Sequence, residues 1–248
     1  MLLKDKVSII TGAAAGIGAG IAELFAEQGS IVYLIDLDGD GCERVAARIN
    51  AAGGTAYAHT GDVSRVDSVI GATQTAASRH GRIDILINNA GIYPRRSFLE
   101  MEEAEWDQMQ DVNLKSVFHL CKLVVPHMIA QRSGKIVNLS SVTFFKGMAN
   151  LSHYVASKGG MIGFSRSLAR ELGPHNVHIN CITPGAVKTE GEIIHAQPDM
   201  LAELQRRQCL DRRLLPVDVA RVTLFLSSEL SDGMTGQTLN VDGGLILY

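Results

Sequence analysis

The chain has 248 residues, 46% of them hydrophobic, enough for one large core, and α/β folds of this size commonly form a single domain. A net charge of −3 and a pI near 6.2, with no run of basic residues, leave no electrostatic footprint for nucleic acid or an anionic membrane and favour a small-molecule partner. The four cysteines, Cys42, Cys121, Cys181 and Cys209, are far apart and form no CxxC pair, so neither a disulfide framework nor a zinc site is expected, and a reducing cytoplasm fits.

Residues 1–6 lead directly into a strand-like run with no signal-peptide segment, and no stretch approaches a membrane span, so a soluble protein is expected. Eight histidines are scattered without an HExxH pattern. His175 and His178 read as loop and strand positions, and no metal site is expected.

Lys6-Val7-Ser8-Ile9-Ile10 is a short β-branched run that opens into Thr11-Gly12-Ala13-Ala14-Ala15-Gly16-Ile17-Gly18, followed by a helical pattern through Gln28. Strand, glycine-rich turn and helix begin a dinucleotide-binding unit. Gly12 permits the tight turn, Gly16 lets the backbone approach a pyrophosphate, and Gly18 allows close helix packing. The helix N-terminus, from Ala15 through Ile17 to Gly18, offers unpaired N–H groups and a positive dipole to the phosphates. The next apolar run, 30–35, ends in Asp36, eighteen residues beyond Gly18, where a carboxylate can accept hydrogen bonds from an adenosine ribose. This predicts NAD rather than NADP. A 2′-phosphate of two charges some 4 Å from Asp36 would be repelled by about 2 kcal/mol even at the dielectric of water. No arginine or lysine in the glycine loop or just after Asp36 offsets that repulsion.

A helix is expected over 39–52, a strand over 55–60, a further helix to about His80, and an apolar strand of the buried parallel type over 83–87. Residues 102–131 read as one helix. Asn113 is mildly unfavourable inside it, which points to a specific hydrogen-bonding duty. A strand over 135–140 is closed by Ser141. Then His153-Tyr154-Val155-Ala156-Ser157-Lys158 sets a phenol and an ammonium four residues apart on one helix face, with Cβ atoms about 5–6 Å from each other. A phenol with a pKa near 10 must be lowered by about three units, roughly 4 kcal/mol, to act as a base near neutral pH. A cation about 5 Å away in an effective dielectric near 20 supplies about 3 kcal/mol of that. Lys158 is expected to be that cation. A sixth strand over 176–182, a helix over 216–228 and a strand and turn over 235–244 complete seven strands alternating with helices. The predicted architecture is a single-domain, Rossmann-type α/β fold: a doubly wound sheet of seven mainly parallel strands, helices on both faces, and the site beyond the strands' C-terminal ends.

Ser141-x(12)-Tyr154-x(3)-Lys158, Thr11-Gly12-x(3)-Gly16-x-Gly18 and Asn88-Asn89-Ala90-Gly91 together resemble the short-chain dehydrogenase/reductase family, and the resemblance covers nearly the whole chain. It implies that Tyr154 is the general acid/base and that Lys158 depresses its pKa and holds the nicotinamide ribose. Ser141 would hydrogen-bond the carbonyl oxygen, and Asn113 would hold a water that links the lysine to solvent. The resemblance also implies adenine contacts at Asp62 and Val63, and nicotinamide contacts along the PGxxxT run of Pro184, Gly185, Val187 and Thr189. Asn89, Ala90 and Gly91 serve either as cofactor contacts or as a structural turn. Residues 186–213, with Pro198, Met200, Leu201 and Leu204 among charges, resemble the family's substrate lid. Homodimers or homotetramers are implied as well, with the helix carrying Gly159-Gly160 and the long one before it pairing across the dimer.

For the substrate, Tyr93, Thr143, Phe144, Phe145 and Met148 form either an apolar pocket for an aryl or alkyl group or a packing surface for the lid or another subunit. Arg95, Arg96 and Lys146 either bind a carboxylate or phosphate or sit solvated at the rim. GIYP with HYVASKGG resembles NAD-dependent secondary-alcohol members such as phenylethanol dehydrogenases, and Thr143-Phe144-Phe145 resembles pyridoxal dehydrogenases. The expected activity is hydride transfer between NAD and a small secondary alcohol or ketone. A sugar, polyol or 3-oxoacyl-thioester member would share every catalytic motif. The 3-oxoacyl reductases usually use NADPH, against which Asp36 argues. A non-catalytic NAD(H)-sensing protein on this fold would be expected to have lost Tyr154, Lys158 or Ser141.

Overall fold

Each apolar run becomes a strand: β1 (Val7–Thr11), β2 (Ile31–Asp36), β3 (Thr55–Thr60), β4 (Ile85–Asn88), β5 (Gly134–Leu139), β6 (Val177–Pro184) and β7 (Thr238–Val241). The computed structural model describes residues 1–190, 203 and 205–247. Within them the strands form one sheet of order β3-β2-β1-β4-β5-β6-β7. Every neighbouring pair is parallel, so the sheet expected to be mainly parallel is parallel throughout. Central β1 and β4 are buried along their whole length, which is why they read as continuous apolar runs rather than alternating ones.

The helices are α1 (Gly16–Glu27), α2 (Gly39–Ala51), α3 (Val66–His80), α4 (Glu103–Gln110), α5 (Ser116–Gln131), α6 (Thr143–Lys146), α7 (Ser152–Leu172) and α8 (Pro216–Ser227). One core lies under α1, α2 and α8, built on Ile21, Phe25, Val45 and Val219. The other lies under α3, α5 and α7, built on Val69, Val117, Leu120 and Met161. Strand order reverses between β1 and β4, and the crevice opens there, outside the strands' C-terminal ends.

The single helix expected over 102–131 is broken. A π-helical turn, Asp111–Lys115, separates α4 from α5 and carries Asn113 into the interior. Such turns are rare and cluster at functional sites. Of the expected lid, residues 191–202 and 204, and with them Pro198, Met200, Leu201 and Leu204, lie outside the described residues. The ends of that stretch meet, because Val187 and Leu214 form a parallel bridge. At the free edge of the sheet, the Asn50 amide accepts from the Ala56 N–H (2.8 Å) and donates to its carbonyl (3.1 Å). A side chain thus occupies edge groups that would otherwise invite another strand. Among the described residues no helix is long and apolar enough to cross a membrane.

Candidate active site

The end of β5 is fastened to the first turns of α7. The Lys158 ammonium, buried, donates to the Leu139 carbonyl at 2.7 Å, and the Ser140 hydroxyl donates to the Lys158 carbonyl at 2.8 Å. Ser141 follows, also buried, and its oxygen accepts from the Thr143 N–H (3.2 Å) and the Thr143 hydroxyl (3.0 Å). With two donors on its oxygen, the Ser141 hydroxyl keeps its own proton to give. Tyr154 stands half-buried one turn before Lys158, whose ammonium lies 5.8 Å from the phenol ring centre.

Asn113 is held from both ends of its amide. It accepts from the Ile92 N–H at 2.8 Å and donates to the Ile92 carbonyl at 2.9 Å. Gly91 sits between this amide and the lysine: a Cβ there would come within 3.1 Å of Asn113 Oδ1 and 3.4 Å of Lys158 Nζ. Asn113 thus anchors the chain after β4. Ser141, Tyr154, Lys158 and Asn113, distant in sequence, are brought close together.

The electrostatics differ from expectation. Burial pushes the Tyr154 phenol up to about 12, with Ser141 pulling it down and Tyr93 pushing it up. Lys158, also desolvated, falls to about 8. The lysine was expected to bring the phenol down. In the chain alone burial is the largest influence on the phenol, and the ammonium donates to the Leu139 carbonyl.

The glycine turn is as tight as its spacing predicts. Gly12 (φ +64°) and Gly16 (φ +56°) are left-handed. A Cβ on Gly12 would lie 2.8 Å from the Ala90 Cα, and one on Gly18 would run into the Gly12 carbonyl oxygen. α1 starts at Ala15 with no side-chain cap and no acidic residue in its first turn, so its positive end is open. Asp36, half-buried, accepts from the Ala14 N–H at 3.0 Å and the Asp38 N–H at 3.1 Å, which fixes its carboxylate beside the turn.

A groove of about 690 Å³ runs past Gly12, Ala15, Asp36, Asp62, Val63, Asn89, Ala90 and Gly91. Asn88, Asn89 and Ala90 also do structural work. The Asn88 amide donates to Asn138 on β5 at 2.7 Å, and the Asn89 amide donates to the Gly12 carbonyl at 2.9 Å. The backbone N–H groups of Asn89 and Ala90 share Thr11 Oγ1. The turn is thus a structural tie that also borders the groove. Beyond β6, Gly185 donates to the Val241 carbonyl at 2.9 Å, and a Cβ there would strike the backbone of Asp242. Val187 is buried, and a Cβ on Gly16 would lie 3.2 Å from Thr189 Cγ2, so the segment from Pro184 closes against the glycine turn. Sequence reasoning missed Asp107, Gln108 and Asp111, which line the same groove. Their signal was the Asp107–Asp111 spacing of four, which puts both carboxylates on one helix face.

The aromatic candidates separate. Tyr93 meets Tyr154 edge to face, ring centres 6.3 Å apart. Phe144 lies over α7 instead, where a Cβ on Gly159 would be 2.7 Å from its ring, and it packs against Phe145 at 5.1 Å. Met148 Sδ lies 3.9 Å from the Arg95 guanidinium, and Arg96 is paired with Glu105 at 2.7 Å. Among the described residues, no group of three or more His, Cys, Asp or Glu side chains is placed to hold a metal ion.

Comparison with known proteins gives the same grouping. The family model described as enoyl-(acyl carrier protein) reductase matches residues 12–246. A probable galactose dehydrogenase of Rhizobium meliloti is 37% identical over 98% of this chain and 96% of its own length. A 3-oxoacyl-[acyl-carrier-protein] reductase of Chlamydia pneumoniae is 39% identical over 98% of each chain, and one of Thermotoga maritima 37% over the whole of each. With relatives this similar along their full length and the serine, tyrosine and lysine brought side by side, the chain belongs to the short-chain dehydrogenase/reductase family.

Proposed function

We propose that this oxidoreductase is NAD-linked and works on the carbinol or carbonyl carbon of a small hydroxylated substrate. The names of the relatives, a galactose dehydrogenase and 3-oxoacyl reductases, support a sugar, polyol or 3-oxoacyl substrate more than the aryl or alkyl secondary alcohol that the sequence suggested. The seating of Phe144 on α7 supports the same shift, because it takes one ring out of the expected apolar pocket. The observation that carries the cofactor proposal is the acidic groove beside the open end of α1. Asp36, Asp62, Asp107 and Asp111 line it, and among the described residues no arginine or lysine does.

The residues fit a dinucleotide: the uncapped helix end receives the pyrophosphate, and Asp36 accepts from a ribose hydroxyl. Bound nicotinamide supplies the hydride acceptor or donor. Ser141, already accepting twice, gives its proton to the substrate oxygen. Tyr154, protonated in the free chain, donates to that oxygen in reduction and takes the proton back in oxidation. Lys158 holds positive charge beside the phenol, and Asn113 fixes the loop after β4 against both. The apolar hollow of Leu114, Phe118, Gly160 and Phe164, between the π turn, α5 and α7, supports pairing into homodimers or homotetramers. Three buried free thiols, Cys42, Cys121 and Cys181, fit a reducing cytoplasm.

Tyr154→Phe is expected to remove nearly all turnover while NADH affinity, read by fluorescence titration, stays within a few-fold; wild-type turnover by that variant ends the proposal. The second test is the ratio of kcat/KM for NAD to that for NADP. Asp36→Ala is expected to lower it by roughly thirtyfold, the equivalent of the 2 kcal/mol repulsion. A wild-type enzyme that prefers NADP overturns the cofactor assignment.

A further inference from the structure

Both lone pairs of the Ser141 oxygen are taken by one residue. The Thr143 N–H reaches it at 3.2 Å, and the Thr143 hydroxyl donates to it at 3.0 Å. The first bond is an ordinary turn of the chain, in which a serine oxygen takes the N–H two residues on, and any residue but proline at position 143 can make it. The second needs a hydroxyl on a short side chain, which only serine or threonine supplies.

A hydrogen-bonded frame holds the pair. Val142, between them, is buried with its N–H on the Pro184 carbonyl at 3.3 Å, and the Ser140 N–H is on the Ile182 carbonyl at 2.7 Å. The Ser141 carbonyl accepts from the Phe144 N–H at 3.2 Å, and the Thr143 carbonyl from the Gly147 N–H at 2.9 Å. Ser141 also acts on the Tyr154 phenol, whose pKa it pulls down, as a donor to that oxygen does.

A hydroxyl that accepts twice has only its own proton left to offer. Without the Thr143 hydroxyl one lone pair is open, and Ser141 can accept from the phenol or from a substrate hydroxyl, which turns its proton away from the reacting oxygen. Donors on the Ser141 oxygen also polarise its O–H and strengthen it as a donor.

We propose that Thr143 is a positioning residue: its hydroxyl holds Ser141 as an obligate donor to the reacting oxygen and bars the reversed hydrogen bond. It acts through Ser141 rather than as lining of an apolar pocket. The inference rests on the oxidoreductase proposal above, in which Ser141 gives its proton to the substrate oxygen.

Neutron diffraction from crystals of the protein exchanged into D2O tests the polarity without any turnover. The expected map has the Thr143 deuteron on the line to Ser141 Oγ and the Ser141 deuteron turned away from Thr143. A Ser141 deuteron lying between the two oxygens overturns the inference.

The kinetic test uses NAD with galactose, 3-hydroxybutyrate and 1-phenylethanol. Thr143→Val, which keeps the N–H and the shape of the side chain, is expected to lower kcat about fivefold, as loss of one hydrogen bond does, with no rise in KM. Thr143→Ser is expected to stay within about twofold of wild type. In a Ser141→Ala background Thr143→Val is expected to cost nothing further, because the group through which it acts is gone. A loss that persists without Ser141, a loss that Thr143→Ser does not restore, or no loss at all overturns the inference and leaves the oxidoreductase proposal standing. If wild type turns over none of the three alcohols, that failure belongs to the oxidoreductase proposal, and the neutron map still decides the place of Thr143.

Discussion

His153, the residue before Tyr154, is 1% exposed, and neither ring nitrogen has a hydrogen-bond partner among the described residues. A neutral imidazole must carry one N–H, so this side chain buries an unsatisfied donor as well as an acceptor, at about 1–3 kcal/mol each. Burial lowers its pKa, and the facing charged group, Glu105 on α4, raises it only in part, because that carboxylate is already paired with Arg96. The sign of the linkage follows. With the folded-state pKa below the ordinary 6.5, the unfolded chain binds the proton first, so the neutral ring's contribution is present above pH 6.5 and lost as pH falls through the folded value. Stability measured by urea unfolding is expected to drop on acidification below about 6.5, and His153→Phe to reduce that slope. His59 and His80, lowered by the same cause, keep some of it in place. An unchanged slope in the variant removes His153 from the account. Nothing in the sequence singled this histidine out, because a histidine at a helix start reads the same whether its ring turns to water or to α4.

Two glycines in helices show how differently one residue type can be used. Gly18 in α1 faces the Gly12 carbonyl oxygen, a backbone atom that cannot move aside. Gly71 in α3 is exposed, and an added Cβ would meet nothing within 4 Å. Gly71→Ala is expected to raise stability by about 0.5–1 kcal/mol, the helix-interior cost of glycine, and Gly18→Ala to lower it sharply and abolish NADH binding. Thermal unfolding with NADH titration checks both. Gly159 and Gly160 of α7 have a third use. They make room for the rings and methyls of Phe144 and Leu114 within the chain itself, at the cost to helix propensity that the sequence displays. The glycine turn, the strands and the start of α7 were legible because their spacing is their geometry. The break at Asp111–Lys115 was not, since a π turn inserts a residue without disturbing the helical pattern on either side.

At the far end of the sheet from the crevice, Asp84 joins β1 to β4. It is buried, accepts from the Val7 N–H at 2.9 Å and from Arg82 Nε at 2.8 Å, and lies 3.8 Å from the Lys6 ammonium. Asp84→Ala strands that backbone donor and is expected to cost about 2–3 kcal/mol in urea unfolding, with little change in kcat because the site is at the opposite strand ends. A loss confined to activity contradicts this. The sequence by itself determined the family, the doubly wound sheet, and that Tyr154 and Lys158 share a helix face while Asp36 ends β2 beside the glycine turn, because local spacing fixes which residues share a turn or a helix face. Only the tertiary structure decided what those groups experience. It desolvated Tyr154 and Lys158, pushing the phenol up and the ammonium down, laid Phe144 on α7, and lined the groove with Asp107 and Asp111. Burial and neighbours across the chain are properties of packing, and packing joins residues that no local pattern connects.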